Sequence, residues 1–151
     1  MDTILLNKSQ IESLVTMAEV VDMCDKTFQG FGDGTTLNPE TLLKQAVRIL
    51  IDNAAKYTEK KDEIKLGIGR NEKGLAYLQV QDTGIGMAEA DVKHMFERFY
   101  RSDETREIKG TGLGLSIAKW IVDKHNGHFE ILSRTELGTR IRIVLGDESE
   151  I

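Results

Sequence analysis

Apolar residues recur along this chain with two different periods. Over 9–24, Ile11, Leu14, Val15, Ala18 and Val21 recur at three- and four-residue spacings. That spacing predicts an amphipathic helix with Ser9 as N-cap and Glu12 three residues on. A short apolar–polar segment around Phe28 to Phe31 and the turn Asp33-Gly34 follow. Asn38-Pro39-Glu40 reads as the start of a second helix, asparagine as cap and proline at the first helical position. It runs to about Tyr57 and ends in the polar tract Thr58-Glu59-Lys60-Lys61-Asp62. A period of two then marks strands over Ile64–Ile68 and Leu75–Gln81, on either side of the loop Arg70-Asn71-Glu72-Lys73-Gly74. Residues 88–96 return to helical spacing. So do 113–125, where Leu113, Ile117, Ile121 and Val122 share one side, after a polar stretch from Tyr100 to Gly110. Strands over 128–133 and 139–145 form a hairpin-like pair, and Thr3–Leu6 reads as a strand near the start. Helices and strands mix without strict βαβ regularity, so the fold class is α+β with a mixed sheet.

Three residues sit against this pattern. Ala76, Leu78 and Val80 share one strand face, and the same parity puts Asp82 on it, where a carboxylate is costly without a partner. The alternative is that the strand ends and Asp82 turns outward into a β-turn with Thr83-Gly84. Thr139 falls on the face of Ile141, Ile143 and Leu145, either as an ordinary strand-start threonine or as a neighbour of Asp82 in the same sheet. Asn53 shares a helical stripe with Ala46, Leu50 and Tyr57, and is either a satisfied core amide or a ligand-facing one. Lys56 lies about one turn beyond, within reach of the same ligand.

Composition narrows the class. With 151 residues, 40% hydrophobic and 30% charged, the chain suits one domain with one core. A formal net charge of −5 argues against a nucleic-acid binder, which needs a basic stripe, but not against a nucleotide in a locally positive pocket. The lone Cys24 excludes an internal disulfide and a multi-cysteine zinc site, and His94, His125 and His128 form no ligand-like group with it. A reducing, cytoplasmic setting is expected. No apolar run approaches the roughly 20 residues a bilayer span needs, and Met1-Asp2-Thr3 lacks the basic segment of a signal peptide. Any membrane part of a parent receptor would lie outside these residues.

Glycine carries the remaining signal: there are 14, against the single Pro39, and they cluster. Gly110-Thr111-Gly112-Leu113-Gly114-Leu115 opens onto a helix, where glycines allow close backbone approach and free N–H groups favour an anion such as phosphate. The spacing is not the dinucleotide fingerprint, and the Gly-Lys-Ser/Thr ending of a P-loop is missing. Asp82-Thr83-Gly84-Ile85-Gly86 stands about two dozen residues earlier, and Asn53-Ala54-Ala55-Lys56-Tyr57 earlier still. Together they are far more specific than either glycine cluster alone.

In this order the chain resembles the catalytic and ATP-binding domain of the bacterial two-component sensor histidine kinases, in the superfamily of gyrase, heat-shock chaperone and mismatch-repair ATPases. The resemblance covers residues 40–145 strongly and 1–39 by general layout. Leu50–Thr58 looks like the N box and Asp82–Gly86 like the first glycine box. Phe96-Glu97-Arg98-Phe99-Tyr100-Arg101 looks like the F box, and Gly110–Leu115 like the second glycine box. The resemblance implies a two-layer α/β sandwich of the Bergerat type, a mostly antiparallel sheet of about five strands against about three helices.

It also implies roles. Asp82 would accept a hydrogen bond from the adenine amino group of ATP, with Thr139 supporting that contact. Asn53 would coordinate Mg²⁺ bridging the phosphates, a hard cation that suits an amide oxygen. Lys56 would face the phosphates and act with Asn53 in catalysis, while Tyr57 would pack near the nucleoside. Gly84, Ile85 and Gly86 would line the pocket with Gly110, Thr111, Gly112, Leu113, Gly114 and Leu115. Residues 97–109 would be the lid, from which Phe99, Arg101 and Lys109 join the pocket; a solvated charged loop is the alternative there. Arg106 is a further lid candidate, and Phe96 and Phe99 are expected to anchor the lid in the core.

Two departures refine the expectation. One helical turn before Asn53 stands Ile49, where the gyrase and chaperone branches hold a water-activating glutamate; no general base is available at that place, so ATP hydrolysis should be slow. No histidine is followed by an acidic residue: His94 precedes Met95, His125 precedes Asn126 and His128 precedes Phe129. Residues 1–151 are therefore expected to be one catalytic domain without a phosphoacceptor. It would donate the γ-phosphate to a histidine on a separate dimerisation domain, and indirectly to a response regulator. The opening at Met1, directly before the Thr3–Leu6 strand, reads as a domain cut from a longer protein. The rival readings are an anti-sigma-factor-type serine kinase and a non-catalytic nucleotide-binding regulatory module.

Overall fold

Period-two patterning in five segments produces one sheet. Its strands are β1 (Asp2–Asn7), β2 (Glu63–Arg70), β3 (Ala76–Asp82), β4 (Gly127–Arg134) and β5 (Gly138–Leu145), ordered β1-β2-β3-β5-β4. The computed structural model of the chain describes residues 2–7, 39–102 and 110–146. The expected helix over 9–24 with Cys24, the Phe28 to Phe31 segment, the Asp33-Gly34 turn and the Asn38 cap lie outside the described residues. So do Arg106 and Lys109. All four strand pairings are antiparallel, which carries the expectation of a mostly antiparallel sheet to its limit among the described residues. The described helices are α1 (Pro39–Lys56), α2 (Glu89–His94) and α3 (Gly114–Lys124).

Strand register stacks like residues into rows across the sheet. Ile68, Leu78, Ile143 and Phe129 form one row, and Leu66, Val80, Ile141 and Ile131 the next. Helices α1 and α3 cover these rows and pack on each other, α3 through Ala118, Ile121 and Val122, while Ile117, expected on the same side, is 42% exposed. Leu50 and Ile51 of α1, Ile121 of α3 and Ile143 of β5 are each 1% exposed or less, and burying one such side chain stabilises the fold by about 2 kcal/mol. One row further along, the same register sets Ile64, Asp82, Thr139 and Ser133 side by side. The sheet thus turns polar at the end where α1 terminates. On the opposite face Arg142 stacks over the Tyr77 ring and donates to Gln79 Oε1 at 2.7 Å, which buries both residues away from the helices.

Candidate functional site

Asp82 is 8% exposed and still within β3, so the parity reading of the sequence holds. The outward turn does not occur: Asp82 stays buried in the strand, and only its Oδ1 engages the turn, accepting the Gly84 N–H at 2.9 Å. Burial pushes the carboxyl from its ordinary 3.8 up to about 6, opposed by the backbone N–H groups of Gly84 and Thr139 and reinforced by the charge of Asp62.

The loop after Asp82 is clamped from two sides. Toward α1, the Ile85 N–H donates to the Tyr57 carbonyl at 3.2 Å. Toward the β4–β5 turn, the Glu136 N–H donates to the Ile85 carbonyl at 2.6 Å. Gly84 is required for the first clamp, because a Cβ there would stand 2.2 Å from the Tyr57 carbonyl oxygen. The end of α1 is itself fixed by the Thr58 hydroxyl, which donates to the Ala54 carbonyl at 2.9 Å. These contacts set Asn53, half-buried on α1, against the Asp82 loop. Gly84→Ala is expected to cost roughly 1–3 kcal/mol, as overpacking does. Thermal unfolding measures it, and an unchanged midpoint would mean that the loop lifts freely from the helix.

A cleft opens between α1, the Asp82 loop and the segment after α2. At one end Asp82, Thr139, Ile85, Gly86 and Met87 enclose about 570 Å³, mouth included. At the other, Ile49, Lys56, Gly110, Thr111, Gly112 and Gly114 border a space of about 710 Å³. Asn53, Tyr57, Met95, Tyr100, Arg101 and Leu115 line both, so the two spaces are continuous, with Asn53 at their junction. The glycine-lined end is the basic one: Lys56 Nζ lies 2.7 Å from where a Cβ on Gly110 would stand, and Arg101 donates to the Gly110 carbonyl at 3.2 Å.

Three expected pocket residues are not on its walls among the described residues. Gly84 packs on Tyr57, and Leu113 precedes α3, its carbonyl taken by the Ser116 hydroxyl at 2.7 Å. Phe99 is 72% exposed, so it does not anchor the lid in the core either. Its backbone is the reason: at φ 63 its N–H donates to the Gly112 carbonyl at 2.9 Å, and Gly112, at φ +70, lies flush against the Phe99 main chain. Phe96 alone packs inward, its ring centroid 4.7 Å from that of Phe129. Lys109 lies outside the described residues.

Other lining residues escaped the sequence reading. Met87, Met95 and Ser102 line the cleft, as does Asp91, which accepts a 2.6 Å hydrogen bond from the Tyr100 hydroxyl. Asp91 and Met95 share a helical face, which is the only local signal they offered.

Known proteins of this build are numerous. The sequence profile described as histidine kinase-, DNA gyrase B-, and HSP90-like ATPase matches residues 38–149. The sensor histidine kinase YkoH of Bacillus subtilis is 46% identical over 112 residues, covering 73% of this chain and 24% of that protein. The sensor protein CiaH of Streptococcus pneumoniae is 46% identical over 107 residues, covering 70% of this chain and 24% of that protein. The chain therefore spans about a quarter of the length of these curated relatives. The solved structure of the mycobacterial sensor histidine kinase MprB matches with a TM-score of 0.67 at 25% identity, over 94% of this chain and 97% of that one. A profile that takes in α1 through β5, on a sheet and cleft of this geometry, leaves one conclusion. The chain belongs to the histidine kinase-, DNA gyrase B-, and HSP90-like ATPase family, as a catalytic ATP-binding domain of the sensor histidine kinase type.

Proposed function

We propose that the cleft holds Mg-ATP with adenine at the Asp82–Thr139 end, and that the chain donates the γ-phosphate to a histidine on a separate helical dimerisation domain. The supporting observation is the position of Asn53, a half-buried amide at the junction between a buried acceptor and a basic, glycine-lined end. Asp82 accepts from the base, while Lys56, Arg101 and the N–H groups of the second glycine box hold the phosphates. The amide oxygen of Asn53, a residue that lines both ends of the cleft, suits a hard cation that keeps most of its waters and would be its protein ligand. When bound, Mg²⁺ neutralises phosphate charge. The need for ATP favours the cytoplasm as the place of this work.

Ile49 walls the phosphate end with a methyl group, 3.3 Å from where a Cβ on Gly114 would stand. Asp52, also at that end, is exposed and lies 3.9 Å from Arg48. Neither provides a sheltered base. Of the three histidines, His94 pairs with Glu97 at 2.7 Å, His125 Nδ1 is 2.7 Å from the Ile121 carbonyl and His128 stands in β4 opposite Val144, and none of them lines the cleft. With γ-labelled ATP the chain alone is expected to acquire no acid-labile phosphate and to hydrolyse ATP far below the roughly 10 s⁻¹ of an ordinary enzyme. Adding a helical domain that bears a His-Glu or His-Asp motif should yield phosphohistidine. Label on serine of an added antagonist protein would instead support the serine-kinase reading, and turnover at the ordinary rate would overturn the donor role.

A further inference from the structure

Ser133 lies in β4, outside all four boxes, yet its hydroxyl joins three segments of the site. It accepts the Met87 N–H at 2.8 Å across 46 positions of sequence, and it stands 2.8 Å from Thr139 Oγ1 and 3.2 Å from the Gly138 carbonyl. Met87 and Thr139 line the Asp82 end of the cleft. Thr139 is the ladder partner of Ser133 on one side and of Asp82 on the other, so the three form one row.

A hydroxyl has one proton to give. The Met87 N–H occupies a lone pair of Ser133, and of the two acceptors left for its proton the Thr139 oxygen is the nearer. We propose that Ser133 is a positioning residue for adenine selection, an inference that rests on the reading of the cleft given above. Ser133 donates to Thr139 Oγ1, and the Thr139 proton is then the one directed into the cleft beside the Asp82 carboxylate. The cleft thereby offers a donor next to an acceptor. Adenine presents the complement, with N1 accepting and the N6 amino group donating. Guanine presents the reverse, N1–H and O6, and would leave both protein groups unpaired.

The test is calorimetric titration of the 151-residue chain with ATP, GTP and inorganic triphosphate, each with Mg²⁺. Ser133→Ala is expected to weaken ATP binding about tenfold, to lower the ATP-over-GTP preference by a similar factor, and to leave triphosphate within about twofold. Ser133→Thr, which keeps the hydroxyl, should retain the preference. The double variant Ser133→Ala with Thr139→Val should lose no more than Thr139→Val alone. An unchanged preference in Ser133→Ala overturns the proposal. So does equal weakening of ATP and triphosphate, the mark of a merely structural tie, and so do additive losses in the double variant. Asp82→Asn separates the two levels of inference. If it keeps the full preference for ATP, the adenine reading fails and this proposal with it. If it loses the preference while Ser133→Ala keeps it, only the role of Ser133 fails.

Discussion

Replacing Asp82 by asparagine is expected to weaken ATP binding about 100-fold near neutral pH while inorganic triphosphate binds almost as before. The Gly84 N–H holds Oδ1, so the amide keeps its oxygen there and turns its NH₂ into the cleft. Two donors, that NH₂ and the adenine amino group, then face each other at a residue only 8% exposed. The pH dependence follows from the raised carboxyl. Only the ionised form accepts from the base, so ATP affinity should fall about tenfold for each pH unit below about 6, and the asparagine variant should show no such fall.

Stability runs the other way. The folded state holds the Asp82 proton more tightly than the unfolded chain does, so this residue makes the fold progressively less stable as pH rises from 3.8 to about 6. The loss is roughly 3 kcal/mol and stays constant above that window. Asp82→Asn should therefore melt at a higher temperature than the parent at neutral pH while binding ATP worse. A variant that binds ATP and triphosphate in the parental ratio would remove Asp82 from base recognition.

The residues legible in the sequence were those that broke a period. Asp82 stood out because Ala76, Leu78 and Val80 defined a face for it to violate, and the register Ile64–Asp82–Thr139 bears out that parity. Asn53 stood out on the α1 stripe for the same reason. The four boxes then placed the cleft, because they are contiguous runs whose order survives without coordinates.

What stayed hidden depends on contacts between distant segments. Phe99 looked like an anchor because it is apolar, but apolarity does not reveal a positive φ, and its φ of 63 turns the ring to solvent. Ser133 occupies an edge strand where a serine ordinarily faces water. Its partner Met87 lies 46 positions away and offers only a backbone N–H, which no side-chain pattern records. Gly84 was legible as part of a box but not in its purpose, which is to let a loop lie on the Tyr57 carbonyl.

Asn53→Ala is the second variant from which a large effect is expected, and it separates function from folding. Alanine is the better helix former by roughly 0.7 kcal/mol, so the variant should be at least as stable as the parent provided that the Asn53 amide serves the ligand and not the core. In the parent, Mg²⁺ should strengthen ATP binding, because the cation offsets phosphate charge beside Asn53. In the variant that Mg²⁺-dependent gain should vanish while affinity in the presence of a chelator persists, since Asp82, Lys56 and the glycine loop are untouched. Transfer to the added histidine domain should fall about 100-fold or more, as expected when a group holding the metal is removed. Asn53→Asp keeps an oxygen at the same place and should retain part of the gain. The measurements are ATP titrations with and without Mg²⁺, a thermal melt, and single-turnover transfer. A variant with the parental Mg²⁺ dependence would show that the amide at the junction of the cleft is a core group after all, and the cation would then have to be held elsewhere.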